Sequence, residues 1–267
     1  MGKTIVSWSP IHGQGATTSN TVSLASVFSL EHKRRSLLTH TQLSYSSMES
    51  LFGKKRIGEG FEQTGISALE RLMKSQLLKS DAVIDYTETI YQDRLDMLGG
   101  SSKGAETGLL EAVLHVTKDI YDSVWIDAHS GLRTPTTLAV LKSADLVLVN
   151  LPQNRFVLDE FFSGDGIPEV LKNKPYIILI SEYDADLELS IRKIKRQYNV
   201  KKDIFPILYS ERFKNASNNE VLSEFFFRQI GLGKKSPAYN FIQSIQAATS
   251  HIARELEFIE SNKEDIE

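Results

Sequence analysis

The chain has 267 residues, no cysteine, 31 lysines and arginines against 34 aspartates and glutamates, and a net charge of −3. The lack of cysteine excludes disulfides, thiolate catalysis and cysteine-based zinc sites, and the near-neutral charge excludes a bulk electrostatic drive toward nucleic acid or acidic membranes. No apolar run approaches a membrane span and no signal-peptide pattern opens the sequence, so a cytoplasmic protein with one large or two small α/β domains is expected.

The apolar run Thr4–Ser9 predicts a strand. Residues 9–19 then read Ser-Pro-Ile-His-Gly-Gln-Gly-Ala-Thr-Thr-Ser, and a helix is predicted over Thr17–His32. Further strands are predicted at Ser36–Thr41, Leu95–Leu98, Ser123–Asp127, Asp145–Asn150, Tyr176–Ser181 and Asp203–Leu208. Helices fall between and after them, at Ile66–Leu77, Glu106–Tyr121, Thr134–Ser143, Val157–Ser163, Leu187–Tyr198 and Val221–Gln229. Several strands are near-continuous Val, Ile and Leu, the pattern of strands buried on both faces. The alternation predicts a doubly wound, mostly parallel sheet with helices on both faces, its βα loops gathered at one edge. The expected organisation is one domain over 1–230, a linker over Gly231–Pro237, an amphipathic helix over Ala238–Ser261 and an acidic tail over 262–267. The last helix carries Phe241, Ile245, Ala248, Ile252, Leu256 and Ile259 at helical spacing.

The segment 9–19 has the frame of a phosphate cradle: strand, Gly-x-Gly turn, then hydroxyl residues opening a helix. Gly13 and Gly15 permit close backbone approach. The expected nucleotide-binding set is Gly13, Gln14, Gly15, Ala16, Thr17 and Thr18, with backbone N–H groups aimed at an anion from the helix N-terminus. Thr17 stands where a hydroxyl would ligate Mg²⁺. The plainer alternative is an ordinary strand–turn–helix connection capped by Thr17, Thr18 and Ser19. Asp127, closing the strand Ser123–Asp127, fits the acid that helps hold Mg²⁺, the alternative being a loop cap. In the turn that follows, His129 is a candidate phosphate sensor and Arg133 a candidate cation.

These segments, in this order, resemble the ParA/MinD-like deviant-Walker P-loop family. Where typical members read Lys-Gly-Gly-x-Gly-Lys-Thr-Thr, this chain reads Ile11-His12-Gly13-Gln14-Gly15-Ala16-Thr17-Thr18. Both family lysines are replaced, at Ile11 and Ala16. The family's second acidic segment corresponds to Leu37–Gln42, with His40 and Gln42 in place of its aspartates, while Asp127 is retained. The resemblance continues through Leu98-Gly-Gly100 and the strand ending at Asn150. It puts base contacts near Ser181–Asp184 and the loop Tyr209–Phe213, and a turn at Asn215–Asn219. Gly65–Ser75 and Tyr209–Phe213 look closest to TadZ/CpaE-type proteins, which localise pilus-assembly machinery.

The resemblance implies ATP or ADP with Mg²⁺ as ligand, or none, because the catalytic charges are gone. A missing cation near the β/γ-phosphates removes about 4 kcal/mol at an effective dielectric near 20, roughly a thousandfold. The expected function is therefore a pseudo-ATPase: an adapter or localisation factor with weak or no hydrolysis, working through protein partners such as secretion or pilus machinery. It would act as a homodimer and be recruited to a membrane-associated complex. The alternatives are an active partition-type ATPase with a displaced cation, in which Asp127 is catalytic, and a structural module without nucleotide. Direct lipid binding is disfavoured, because Glu255, Glu257 and Glu260 face Arg254 alone on the last helix. Nucleic-acid binding is disfavoured too; its candidate patches are Lys33–Arg35, Lys54–Arg56, and Arg192–Arg196 with Lys201 and Lys202.

Overall fold

The computed structural model describes residues 2–42, 46–54, 65–100, 107–163 and 166–258. In chain order the elements are β1 (Lys3–Trp8), α1 (Thr17–Glu31), β2 (Ser36–His40), α2 (Met48–Leu51), α3 (Gly65–Lys74), α4 (Ser80–Ile84), β3 (Glu88–Tyr91), β4 (Leu95–Met97), α5 (Thr107–Thr117), β5 (Ser123–Asp127) and α6 (Pro135–Ser143). They continue with β6 (Leu146–Pro152), α7 (Arg155–Phe162), α8 (Glu169–Lys172), β7 (Tyr176–Tyr183), α9 (Ile191–Gln197), β8 (Ile204–Leu208), α10 (Glu211–Asn218), α11 (Leu222–Gln229) and α12 (Tyr239–Glu255). The strands form one eight-stranded sheet in the order β3-β4-β2-β5-β1-β6-β7-β8. Every pairing is parallel except β3 with β4.

Alternation along β1 shows how the sheet is buried on both faces. Ile5 joins Leu38, Trp125, Leu148 and Leu179 in one core with α1, α11 and α12. Its neighbour Val6 joins Leu37, Val124, Ile126 and Val147 in the other. Period-two side chains with both sets apolar give the continuous hydrophobic runs seen in the sequence.

Helix α1 is buried from Asn20 through Ser29 without a break, because it is sandwiched between the sheet and α12. Three of its buried hydroxyls are satisfied locally: Thr21, Ser23 and Ser29 each donate to the carbonyl four residues back. That is how a helix so rich in Ser and Thr tolerates a dry environment.

The predicted strands all form, with ends shifted by up to two residues. The edge strand β3 and the short helices α2, α4, α8 and α10 escaped prediction. The expected loop Tyr209–Phe213 and turn Asn215–Asn219 are corrected: α10 spans most of both. Ser210 caps it by accepting from the Phe213 N–H at 3.2 Å, and Phe213 and Ala216 bury its inner face. Helix α9 starts at Ile191, not at Leu187, because Ser190 is its N-cap and accepts from Lys193 N–H. The stretch 231–237 is a run of turns, fastened where Ser236 Oγ donates to Gln229 Oε1 at 2.6 Å. Beyond it, Phe241, Ile245, Ala248 and Ile252 of α12, with Leu256 just past its end, belong to the core shared with α1. The helix stops at Glu255; the expected positions Ile259 to Ser261, the acidic tail, Lys55, Arg56 and the predicted start at Glu106 lie outside the described residues. No described helix is long and apolar enough to cross a membrane.

Candidate functional site: a phosphate-type cleft at the strand ends

The parallel strands β1, β5 and β2 end side by side, and their connections build one cleft. Three bonds stitch the β1 and β5 connections together. Ala128 N–H donates to Ser7 O at 2.9 Å, Gly131 N–H to Ser9 O at 2.9 Å, and the Trp8 indole N–H to Gly131 O at 2.8 Å. On the β2 side, Thr41 N–H donates to Asp127 O at 3.0 Å and His129 N–H to Thr41 Oγ1 at 2.8 Å. The resulting cleft holds about 330 Å³ and is lined by His12, Gly13, Gly15 through Ser19, Gln42, Ser47, Asp127, Ala128 and Ser130.

Most of the expected binding set is therefore brought together; Gln14 is exposed and does not line the cleft. At Gly15 a Cβ would lie 2.4 Å from Ser9 Oγ and 3.1 Å from Asn150 O, so only glycine fits. Ala16 is the N-cap of α1 in the left-handed region, φ 47° and ψ 34°, and no side chain caps the helix. The first turn carries no acidic residue. Its N–H groups thus lack a side-chain cap and keep the partial positive charge of a helix start.

Asp127 is fully buried. Its Oδ2 accepts from Thr18 Oγ1 at 2.5 Å, so the hydroxyl that reaches the acid is that of Thr18 rather than Thr17. Its Oδ1 has no hydrogen-bond partner. Burial pushes the Asp127 carboxyl up to about 6, against the opposing pull of the Thr18 hydrogen bond and of His40 and His129. A buried, half-satisfied carboxylate beside an uncapped helix start fits a divalent cation held with a phosphate group. Thr17, which lines the cleft, and Asp127 are the residues that would hold it.

The candidate cations stand apart from this arrangement. Ile11 packs on the core, and Arg133 is exposed and does not line the cleft. His12 lines it, stacked on His129 with ring centroids 5.8 Å apart. The carbonyl of Ser130 can only accept, so His129 Nδ1, at 2.9 Å from it, carries a proton.

Three buried residues, of which only Asn20 lay outside every segment singled out in the sequence, hold the loop from below. Asn20 Nδ2 donates to Asn150 Oδ1 at 2.7 Å and to Ser181 Oγ at 2.8 Å. Ser181 Oγ in turn donates to Gly15 O at 2.7 Å, and Asn150 Nδ2 donates to Ser7 Oγ at 2.9 Å. The one sequence signal was a polar residue closing each of two apolar strands. On the β2 side, His40 Nε2 bonds Glu49 Oε1 at 3.0 Å, and Gly100 N–H donates to the same oxygen at 3.0 Å. A Cβ on Gly100 would lie 2.6 Å from the His40 ring, so the pairing requires glycine there.

The expected base-contact residues meet at the ends of β7 and β8; toward α1 they leave little space, while on the outer side Glu182–Asp184 and Tyr209–Arg212 line a wider concavity. Lys214 pairs with Glu182 and lies over the Tyr209 ring, 5.9 Å from its centroid. The gap left between α1 and these strands is about 20 Å³, room for about one water.

No family model and no curated protein matches this chain. Solved structures do. A ParA family ATPase from Chlorobium tepidum is 12% identical with a TM-score of 0.71, covering 94% of this chain and 100% of its own. The septum site-determining protein MinD of Pyrococcus horikoshii, complexed with Mg-ADP, is 15% identical with a TM-score of 0.70, covering 96% and 99%. The MinC:MinD cell division complex of Aquifex aeolicus is 12% identical over 93% of this chain and 96% of that one, with a TM-score of 0.67. At such identities the likeness speaks for architecture alone: this chain has the α/β P-loop fold of the ParA and MinD ATPases.

Proposed function

We propose that this protein is a degenerate ParA/MinD-like adapter that keeps the phosphate cradle and has lost efficient hydrolysis. The observation that carries this is the cleft itself. Gly15, the uncapped start of α1 and the half-satisfied Asp127 are kept, while Ala16 and Ile11 bring no charge to it. Phosphoryl transfer depends on positioning and on charge stabilisation; this cleft supplies the first and little of the second.

When bound, Mg²⁺ would supply the charge that neutralises a phosphate. The chain's own part is to position: α1 N–H groups face the anion, Thr18 orients Asp127, and Asn20, Asn150 and Ser181 fix the loop from below. The narrow gap that Tyr209 and Lys214 leave against α1 favours weak nucleotide binding, and it also favours the second reading, a module that takes no nucleotide. As an adapter the protein would act through protein partners, as a homodimer across the cleft face. Secretion or pilus machinery, as for TadZ/CpaE-type proteins, is the partner class proposed, with recruitment to a membrane-associated complex.

Mg·ATP titration by calorimetry together with turnover tests the proposal. The wild type should bind weakly and turn over negligibly, and Ala16→Lys should tighten Mg·ATP by tenfold to about a thousandfold, the range expected of one restored cation. Turnover at ordinary ATPase rates that vanishes in Asp127→Ala would overturn the adapter reading in favour of an enzyme. No binding by wild type or Ala16→Lys would favour the module without nucleotide.

A further inference from the structure

A second and larger concavity lies outside the cleft, between the β7–α9 turn, the start of α10 and the start of α12. It holds about 800 Å³. Its apolar lining includes Leu187, Tyr209, Pro237 and Phe241. Leu187 and Tyr209 are 49% and 54% exposed, a large apolar area to leave in water at one place. Glu182, Asp184 and Glu211 line it against a single cation, Arg212, and Asp186 and Glu188 follow in the same turn. Glu182 is neutralised by Lys214 and Glu188 meets Lys193 at 3.7 Å. Asp184, Asp186 and Glu211 have no salt-bridge partner among the described residues.

The turn is also held in shape. Gln153 donates to Asp184 O at 3.1 Å and Leu189 O at 2.9 Å and accepts from Asp184 N–H at 2.9 Å. Glu182 holds φ 48° at the register shift of β7. A concavity fixed this way loses little entropy on binding.

We propose that this groove docks a basic, amphipathic segment of a partner protein, its apolar side chains seated on Leu187 and Tyr209 and its cations meeting Asp184, Asp186 and Glu211. An apolar floor with a net acidic rim is the pattern that recognises such a segment. The proposal deepens the adapter reading and rests on it, since it names the chemistry of the partner.

The probe is a short acetylated peptide in which lysines alternate with leucines, titrated onto the full chain by fluorescence anisotropy. A matched peptide with glutamate in place of lysine is the control. The lysine peptide should bind saturably and the glutamate peptide should not. Affinity should fall about tenfold in Asp184→Asn/Glu211→Gln, where Asn keeps the acceptor for Asp186 N–H, and about tenfold in Leu187→Ser. Equal affinity in wild type and variants with unchanged circular dichroism, or equal binding of both peptides, would overturn the proposal. So would a dimer in sedimentation that Leu187→Ser dissociates, which would assign the groove to a second copy. Leu187 lies outside the expected base-contact stretches, so Leu187→Ser should leave Mg·ATP affinity unchanged, and failure of the nucleotide reading is told apart from failure of this one.

Discussion

Two carboxylates at the top of this sheet have been buried in opposite ways. Glu49, beside the end of β2, is enclosed with two partners on Oε1, though its Oε2 has none. Burial pushes its carboxyl up, but the hydrogen bond and charge of His40 and the Gly100 N–H outweigh this and hold it at about 2. Asp127, closing β5 one strand away, is enclosed with only Thr18, and burial dominates, leaving it at about 6. The first carboxylate is a structural tie between β2 and α2; the second is held in a strained electrostatic state that a cation would relieve. Burial alone does not separate a structural charge from a site. The supply of compensating partners does.

The sharpest way to break this contrast is to remove the partner of Glu49. His40→Ala leaves a buried carboxylate without its side-chain hydrogen-bond partner and should destabilise the fold by about 3 kcal/mol, read as the shift of the urea midpoint at neutral pH. The lowered carboxyl contributes stability above its ordinary value of 4.5, and that contribution is lost as pH falls toward about 2. The His40→Ala deficit should therefore shrink in acid. A midpoint that moves by less than about 1 kcal/mol would place Glu49 among ordinary surface charges.

Asp127→Asn should act in the opposite direction. An acid whose folded pKa is raised weakens the fold as pH climbs from its ordinary 3.8 to about 6, and the full penalty persists above that. Removing the charge should thus stabilise the protein at pH 7 by about 3 kcal/mol, roughly 6–10 °C in Tm, with the gain gone by about pH 4. Calorimetry at both pH values reads this directly. A Tm at pH 7 that falls in Asp127→Asn would mean that Asp127 is as fully compensated as Glu49.

The smallest effect concerns the loop between them. Ala16 sits in the left-handed region, which disfavours a Cβ by about 1–2 kcal/mol. Ala16→Gly relieves this at the expense of a more flexible unfolded chain, so a net gain of up to about 1 kcal/mol is expected in thermal melts. A loss would show that the left-handed turn is not a source of strain in the cleft.

How much of this was legible in the sequence follows from what each feature depends on. The strands and α1 were visible because period-two apolar runs and the Gly13–Thr18 turn are local patterns. Asp127 was visible because it closes such a run. Glu49 was not, because it lies in a short helix that its own sequence barely supports and gains its role only from His40, 9 residues before it, and Gly100, 51 residues after it. The same holds for Asn20, whose partners Asn150 and Ser181 lie 130 and 161 residues away. The loop expected at Tyr209–Phe213 became α10 because Ser210 caps it and the core takes up Phe213, a gain that no local propensity shows.

The sequence by itself determined the layered α/β architecture, the cradle at residues 9–19 and the loss of its cations, since each is written in contiguous residues whose spacing fixes backbone geometry. Only the tertiary structure decided the rest. It paired Thr18 rather than Thr17 with Asp127, tied His40 to Glu49, narrowed the gap between Tyr209 and α1 and opened a groove at Leu187. Those outcomes depend on which strand ends the sheet order brings together and on how much water each burial excludes, and neither quantity is local in sequence.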